Sequence, residues 1–89
     1  MERFSIVFTG RVQGVGFRYT AESIARGFEI SGWIRNERDG SVRCVIEGAA
    51  DELERFVAAV RNAMNGSISN VVIDRAAATG EFQGFHVRR

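Results

Sequence analysis

The sequence predicts an α+β fold in which two amphipathic helices cover one face of an antiparallel sheet. Three observations point there. Phe4, Ile6 and Phe8 alternate with Ser5, Val7 and Thr9, the period of a strand buried mainly on one side. Apolar residues recur at spacings of three and four in two later segments, Phe17 to Phe28 and Leu53 to Met64. Between those segments, Arg38-Asp39-Gly40 separates two strand-like stretches and supplies residues suited to a tight turn of positive φ.

Taken in order, the first strand ends at Gly10 and a glycine-bearing stretch, Arg11 to Gly16, follows it. Phe17, Ala21, Ile24, Ala25 and Phe28 then mark a helix over roughly residues 17–28. Ile30 to Glu37 and Ser41 to Glu47 form a hairpin, with Val42, Cys44 and Ile46 on one face of its second arm. After Gly48, Asp51-Glu52-Leu53-Glu54 reads as an acidic helix start, Asp51 and Glu54 standing at capping-box spacing. Leu53, Phe56, Val57, Val60 and Met64 give that helix its buried stripe, and Asn65-Gly66 ends it. Asn70 to Ala76 is a further strand, and Phe85 and Val87 mark a short last one beyond a Gly80 to Gly84 loop. This β-α-β-β-α-β order, with its extra strand, is most simply folded as a ferredoxin-like split β-α-β sandwich, one domain over residues 1–89.

Composition narrows the chemistry. The chain has 89 residues, 45% hydrophobic and 26% charged, which is the balance of a globular domain with a modest core. No apolar run approaches the length of a bilayer span and the first residues do not read as a secretory signal, so a cytoplasmic, monomeric protein without a membrane partner is expected. One cysteine (Cys44) and one histidine (His86) make a disulfide or a Cys/His metal centre implausible, and neither metal nor cofactor is expected. All twelve basic residues are arginine, which excludes a Schiff-base lysine and the lysine of a nucleotide-binding phosphate loop. A net charge of +1 gives no electrostatic reason to expect a nucleic-acid partner. Cys44 reads as a small core hydrophobe, Trp33 as a packing residue under the sheet edge, and His86 as a surface or strand residue.

The most informative stretch is Gly10-Arg11-Val12-Gln13-Gly14-Val15-Gly16-Phe17-Arg18, between the first strand and the first helix. A helix N-terminus presents unpaired N–H groups, and glycines let the main chain curl around a small anion. Arg18 in the first helical turn adds a guanidinium fork for the same anion. The same residues also fit a plain tight connection with Arg18 solvated, although such a turn does not require Gln-Gly-Val-Gly-Phe-Arg.

Gly10 to Arg18 resembles the acylphosphatase signature G-x-V-Q-G-V-x-F-R. Gly32-Trp33-Ile34-Arg35-Asn36, followed by Asp39-Gly40-Ser41-Val42 and Gly48, is similar to that family's second motif, G-W-V-x-N-x-x-D-G-x-V-x-x-x-x-x-G. The resemblance implies the same sandwich fold and hydrolysis of small acyl phosphates to carboxylate and inorganic phosphate. By position it makes Arg18 the residue that binds the phosphoryl group and Asn36 the one that places the attacking water. The N–H groups of Gln13, Gly14, Val15, Gly16 and Phe17 would cradle the phosphoryl oxygens. Such a site requires no metal if arginine and the helix end supply the positive charge. In isolation, Asn36 also fits a hairpin cap.

Two positions depart from the family pattern. Glu29 stands where relatives often carry a glycine suited to a left-handed helix end, so the local turn is expected to be strained. Gly16 replaces an aromatic residue of some relatives and should soften the cradle. Three rival readings are an acylphosphatase-like N-terminal domain of a hydrogenase-maturation carbamoyltransferase, a catalytically silent anion-binding domain, and an RNA-recognition module of the same strand order. The first belongs to chains that continue into zinc-binding domains, and a free-standing enzyme is expected instead. The last depends on aromatics exposed on central strands, which Val42-Arg43-Cys44-Val45-Ile46 does not offer.

Overall fold

A computed structural model describes residues 1–89, with the elements in the order β1 (Glu2–Gly10), α1 (Phe17–Ala25), β2 (Ile30–Asn36), β3 (Val42–Gly48), α2 (Ala50–Ala63), β4 (Ile68–Ala77) and β5 (Phe85–Val87). The five strands form one sheet in the order β4-β1-β3-β2-β5. The alternation in β1 sets its register: Phe4, Ile6 and Phe8 are wholly buried and pair with Ile46, Cys44 and Val42 of β3, so one face of two central strands is apolar throughout. Both helices close that face, α1 through Phe17, Ala21 and Ala25 and α2 through Leu53, Phe56, Val57 and Val60. Each wholly buried Phe or Leu contributes about 1.5–3 kcal/mol of transfer free energy. Cys44 lies within this core, where burial pushes its thiol up and leaves it inert.

Four sequence expectations are corrected. The sheet is mixed rather than antiparallel, because β5 runs parallel to β2. The cause is the route of the chain: Ala77 ends β4 beside Glu2, and residues 78–84 cross that same end of the sheet. Gly84 then accepts a 2.9 Å hydrogen bond from the Gly32 N–H. From there β5 can run only away from that end, as β2 does.

α1 stops at Ala25 rather than Phe28, and Gly27 and Phe28 make short bonds back to Ile24 and Ala25. No residue other than glycine has a positive φ, so Glu29 does not occupy a left-handed position; its N–H is instead satisfied by Glu52 Oε1 at 2.9 Å.

The capping box is not formed either. Ala49 is the N-cap of α2 and contributes no side-chain bond, while Glu54 pairs with Arg75. Asp51 and Glu52 are acids in the first helical turn, where the macrodipole favours them, and Glu52 also pairs with Arg55.

Trp33 packs on the face of the sheet turned away from the helices, with the guanidinium groups of Arg35 and Arg88 each 4.8 Å from its ring. His86 lies exposed in β5 beside Trp33, its Nε2 2.7 Å from the Gln83 carbonyl. Gly32, within β2, tolerates no side chain. Its φ is +146°, and a Cβ there would run into the Val45 carbonyl.

Candidate active site

The site lies where β1, β2 and the start of α1 meet. β1 leaves the sheet through a bulge: Thr9 pairs with Asn70 but Gly10 pairs with Ile68. A side chain at Gly10 would strike the backbone of Ser67 and Ser69, so glycine is required there. The Arg11 N–H then donates to the Ser67 carbonyl at 2.8 Å. Val12 and Phe17, 1% and 2% exposed, anchor the two ends of the loop in the core, the Phe17 ring 5.0 Å from that of Phe8. Between these anchors Gly14 and Gly16 take left-handed conformations at φ 76° and 74°, and Gly16 is the N-cap of α1.

This backbone path leaves a row of donors unpaired. The N–H groups of Gln13 through Tyr19 donate to no acceptor in the protein; the helix bonds begin with Thr20 N–H to the Gly16 carbonyl at 3.0 Å. No side chain caps α1 and no acid sits in its first turn. Arg18 pairs with no carboxylate. Its Nη1 donates to the Arg88 carbonyl at 2.9 Å, which aims the guanidinium while leaving its other N–H groups free. Arg88 is itself held through its N–H, which donates to the Ile34 carbonyl at 2.7 Å, and through its stack on Trp33.

Asn36 is the last residue of β2, half-buried, and its amide makes no hydrogen bond within the protein. The hairpin beside it is closed without its help. Glu37 N–H donates to the Ser41 carbonyl at 2.9 Å, and the Asp39 carboxylate accepts from the Ser41 hydroxyl and N–H at 2.6 and 2.9 Å. Those two bonds hold the Asp39 carboxyl below its ordinary range. The turn-capping role considered for Asn36 therefore falls to Asp39.

Gly14, Gly16, Arg18 and Asn36, with Val12, Phe17 and Tyr19, line one cleft of about 230 Å³. A larger and more apolar concavity, about 340 Å³, lies at the opposite end of the sheet between Met1, Ile30, Gly48 and Ala78. The residues lining it include Glu29 and Glu47 and no arginine, so charge and donor chemistry rather than volume select the smaller cleft. The Arg88 carbonyl had no signal in the sequence, because a backbone acceptor is independent of residue type.

The family model for acylphosphatase matches residues 4–87. The chain belongs to the acylphosphatase family. A curated acylphosphatase from Salinibacter ruber is 45% identical over 99% of this chain and 94% of its own length. One from Methanospirillum hungatei is 41% identical over 100% of this chain and 99% of its own. The crystal structure of the Bacillus subtilis acylphosphatase superposes with a TM-score of 0.92 at 32% identity, covering 100% of both chains. This acylphosphatase accordingly cleaves the carboxyl–phosphate bond of acyl phosphates, and its sandwich is the fold of the family.

Proposed function

We propose that the cleft performs this hydrolysis by binding and positioning alone. The N–H groups of Gln13 to Phe17 and the Arg18 guanidinium hold the phosphoryl oxygens, and the Asn36 amide holds a water in line with the bond to be broken. The water oxygen forms a bond to phosphorus as the phosphorus–acyl oxygen bond breaks, and the carboxylate leaves with the bonding pair. An amide is no base, so the water proton passes to a phosphoryl oxygen. A carboxylate is a good leaving group, and charge gathers mainly on the equatorial oxygens, where the N–H row and guanidinium would meet it. Arginine and the helix end supply the positive charge without a metal ion. One observation carries this reading: a free N–H row, an arginine without an acidic partner and an unbonded asparagine share one cleft. The substrate is then a small acyl phosphate, and inorganic phosphate is the released product. Residues 1–89 would work as a single domain, a reading supported by the continuous core, and as a monomer in the cytoplasm, with sedimentation checking the monomer and fractionation the location.

The test separates the two side chains. Arg18→Ala should weaken inhibition by inorganic phosphate and also lower kcat, because the guanidinium contacts the phosphoryl group in ground and transition states. Asn36→Ala should leave the phosphate inhibition constant nearly unchanged and lower kcat on acetyl phosphate by about 10². An Asn36→Ala enzyme with near-unaltered kcat would remove asparagine from the mechanism.

A further inference from the structure

The phosphoryl cradle and the water-positioning residue stand on strands that do not touch: the loop after β1 carries the first and β2 carries the second, with β3 between them in the sheet. Gln13 spans that gap. Its Nε2 donates to the Glu37 carbonyl at 2.7 Å and to the Ser41 carbonyl at 2.9 Å, so both amide hydrogens are used on the mouth of the hairpin that follows Asn36. Those two carbonyls already belong to the closed turn, since Ser41 O also accepts from Glu37 N–H and Glu37 O from Gly40 N–H. The hairpin side of the link is therefore fixed. On the other side, Val12 and Phe17 fasten the loop to the core, but the left-handed Gly14 and Gly16 between them give it little stiffness of its own.

We infer that Gln13 is a positioning residue: its side-chain amide clamps the phosphoryl cradle to the Asn36 hairpin and so sets the distance and line of attack of the water. The inference rests on the roles proposed above for Arg18 and Asn36. Phosphate binding uses only the N–H row and Arg18, whereas turnover also needs the water about 3 Å from phosphorus and in line, and a displacement of about 1 Å costs on the order of 10² in rate. Loss of the clamp should thus appear in kcat and not in phosphate affinity.

Steady-state hydrolysis of acetyl phosphate, with inorganic phosphate as inhibitor, tests this on Gln13→Ala, Asn36→Ala and the double variant. Gln13→Ala should lower kcat by about 10-fold or more with the phosphate inhibition constant within about 3-fold of the unaltered enzyme. Adding Gln13→Ala to Asn36→Ala should cost less than about 3-fold further, because the clamp then has no water to aim. Gln13→Glu, of the same shape, places a carboxylate against two carbonyl oxygens. Its kcat relative to the unaltered enzyme should rise as pH falls from about 8 to about 5, when protonation restores one donor. A kcat for Gln13→Ala within about 2-fold of the unaltered value, a matching loss of phosphate affinity, or full additivity with Asn36→Ala would each overturn the inference. If Asn36→Ala alone were without effect, the role of Asn36 would fall first, and the clamp with it. Should Gln13→Ala not fold, the pH response of Gln13→Glu decides, a flat ratio counting against the clamp.

Discussion

Glu47 offers a quantitative test of how the far end of the sheet is held. It is only 5% exposed, and burial alone would push its carboxyl up. The N–H groups of Thr79 and Gly80 at 2.9 and 3.0 Å, Arg3 Nε at 2.8 Å and the Thr79 hydroxyl at 3.1 Å outweigh burial and lower the pKa from 4.5 to about 2. These bonds fasten the segment that carries the chain from β4 to β5. At 1.36 kcal/mol per unit the shift bounds the contribution at about 3 kcal/mol, and because Arg3 is 23% exposed, solvent screening reduces the expected value to about 1–2 kcal/mol. A depressed folded-state pKa stabilises the fold fully above the unfolded value, near 4.5, and the stabilisation is lost as pH falls through about 2. Urea unfolding of the unaltered protein and Glu47→Gln should therefore differ by about 1–2 kcal/mol at neutral pH, or roughly 4–16 °C in Tm for a domain of this size, and the gap should close between pH 4.5 and pH 2. Subtracting the two curves cancels carboxylates that share no partner with Glu47, such as Asp39, whereas Glu81, bonded to the same Arg3 and Thr79, belongs to the network that the substitution tests. A gap that stays constant with pH would mean that charge plays no part, and a gap that opens in acid would mean that the sign is wrong.

Three further outcomes are expected. Inorganic phosphate at millimolar concentration should inhibit competitively and raise Tm through mass action on the folded state, and identical melting curves with and without it would count against the cradle. Exhaustive chelation should leave turnover unaltered; activity lost to EDTA and restored by magnesium would refute a mechanism built on arginine and N–H groups. Glu29→Gly, which a left-handed turn would have made stabilising, should instead cost about 0.4–1 kcal/mol, since Glu29 has no positive φ to relieve and glycine adds freedom to the unfolded chain. A gain in Tm would show that the chain turns differently after α1.

What was legible in the sequence was local or repeated. The alternation of Phe4, Ile6 and Phe8, the stripes of both helices and the Asp39-Gly40 turn each express a period or a dihedral preference within a few residues, and their elements form where that physics places them. The path of the loop after β1 was legible for the same reason: Gly14 and Gly16 are glycines at left-handed positions, and Arg18 lies in the helical turn that follows. Family membership was legible because two motifs carry their spacing in the chain itself.

Tertiary structure alone decided whatever depended on a distant partner. A three-residue strand has too short a pattern to carry direction, so the parallel pairing of β5 was set by where residues 78–84 emerge beside Gly32. Asp51 and Glu54 have the spacing of a cap, but the helix begins at Ala50, and Glu54 turns to Arg75 instead. The aim of Arg18 depends on the Arg88 carbonyl, 70 positions away, and the link from Gln13 to the hairpin spans 24 and 28 positions. Residue type states what a side chain can donate or accept, and only the packed fold states which acceptor comes within 3 Å of it.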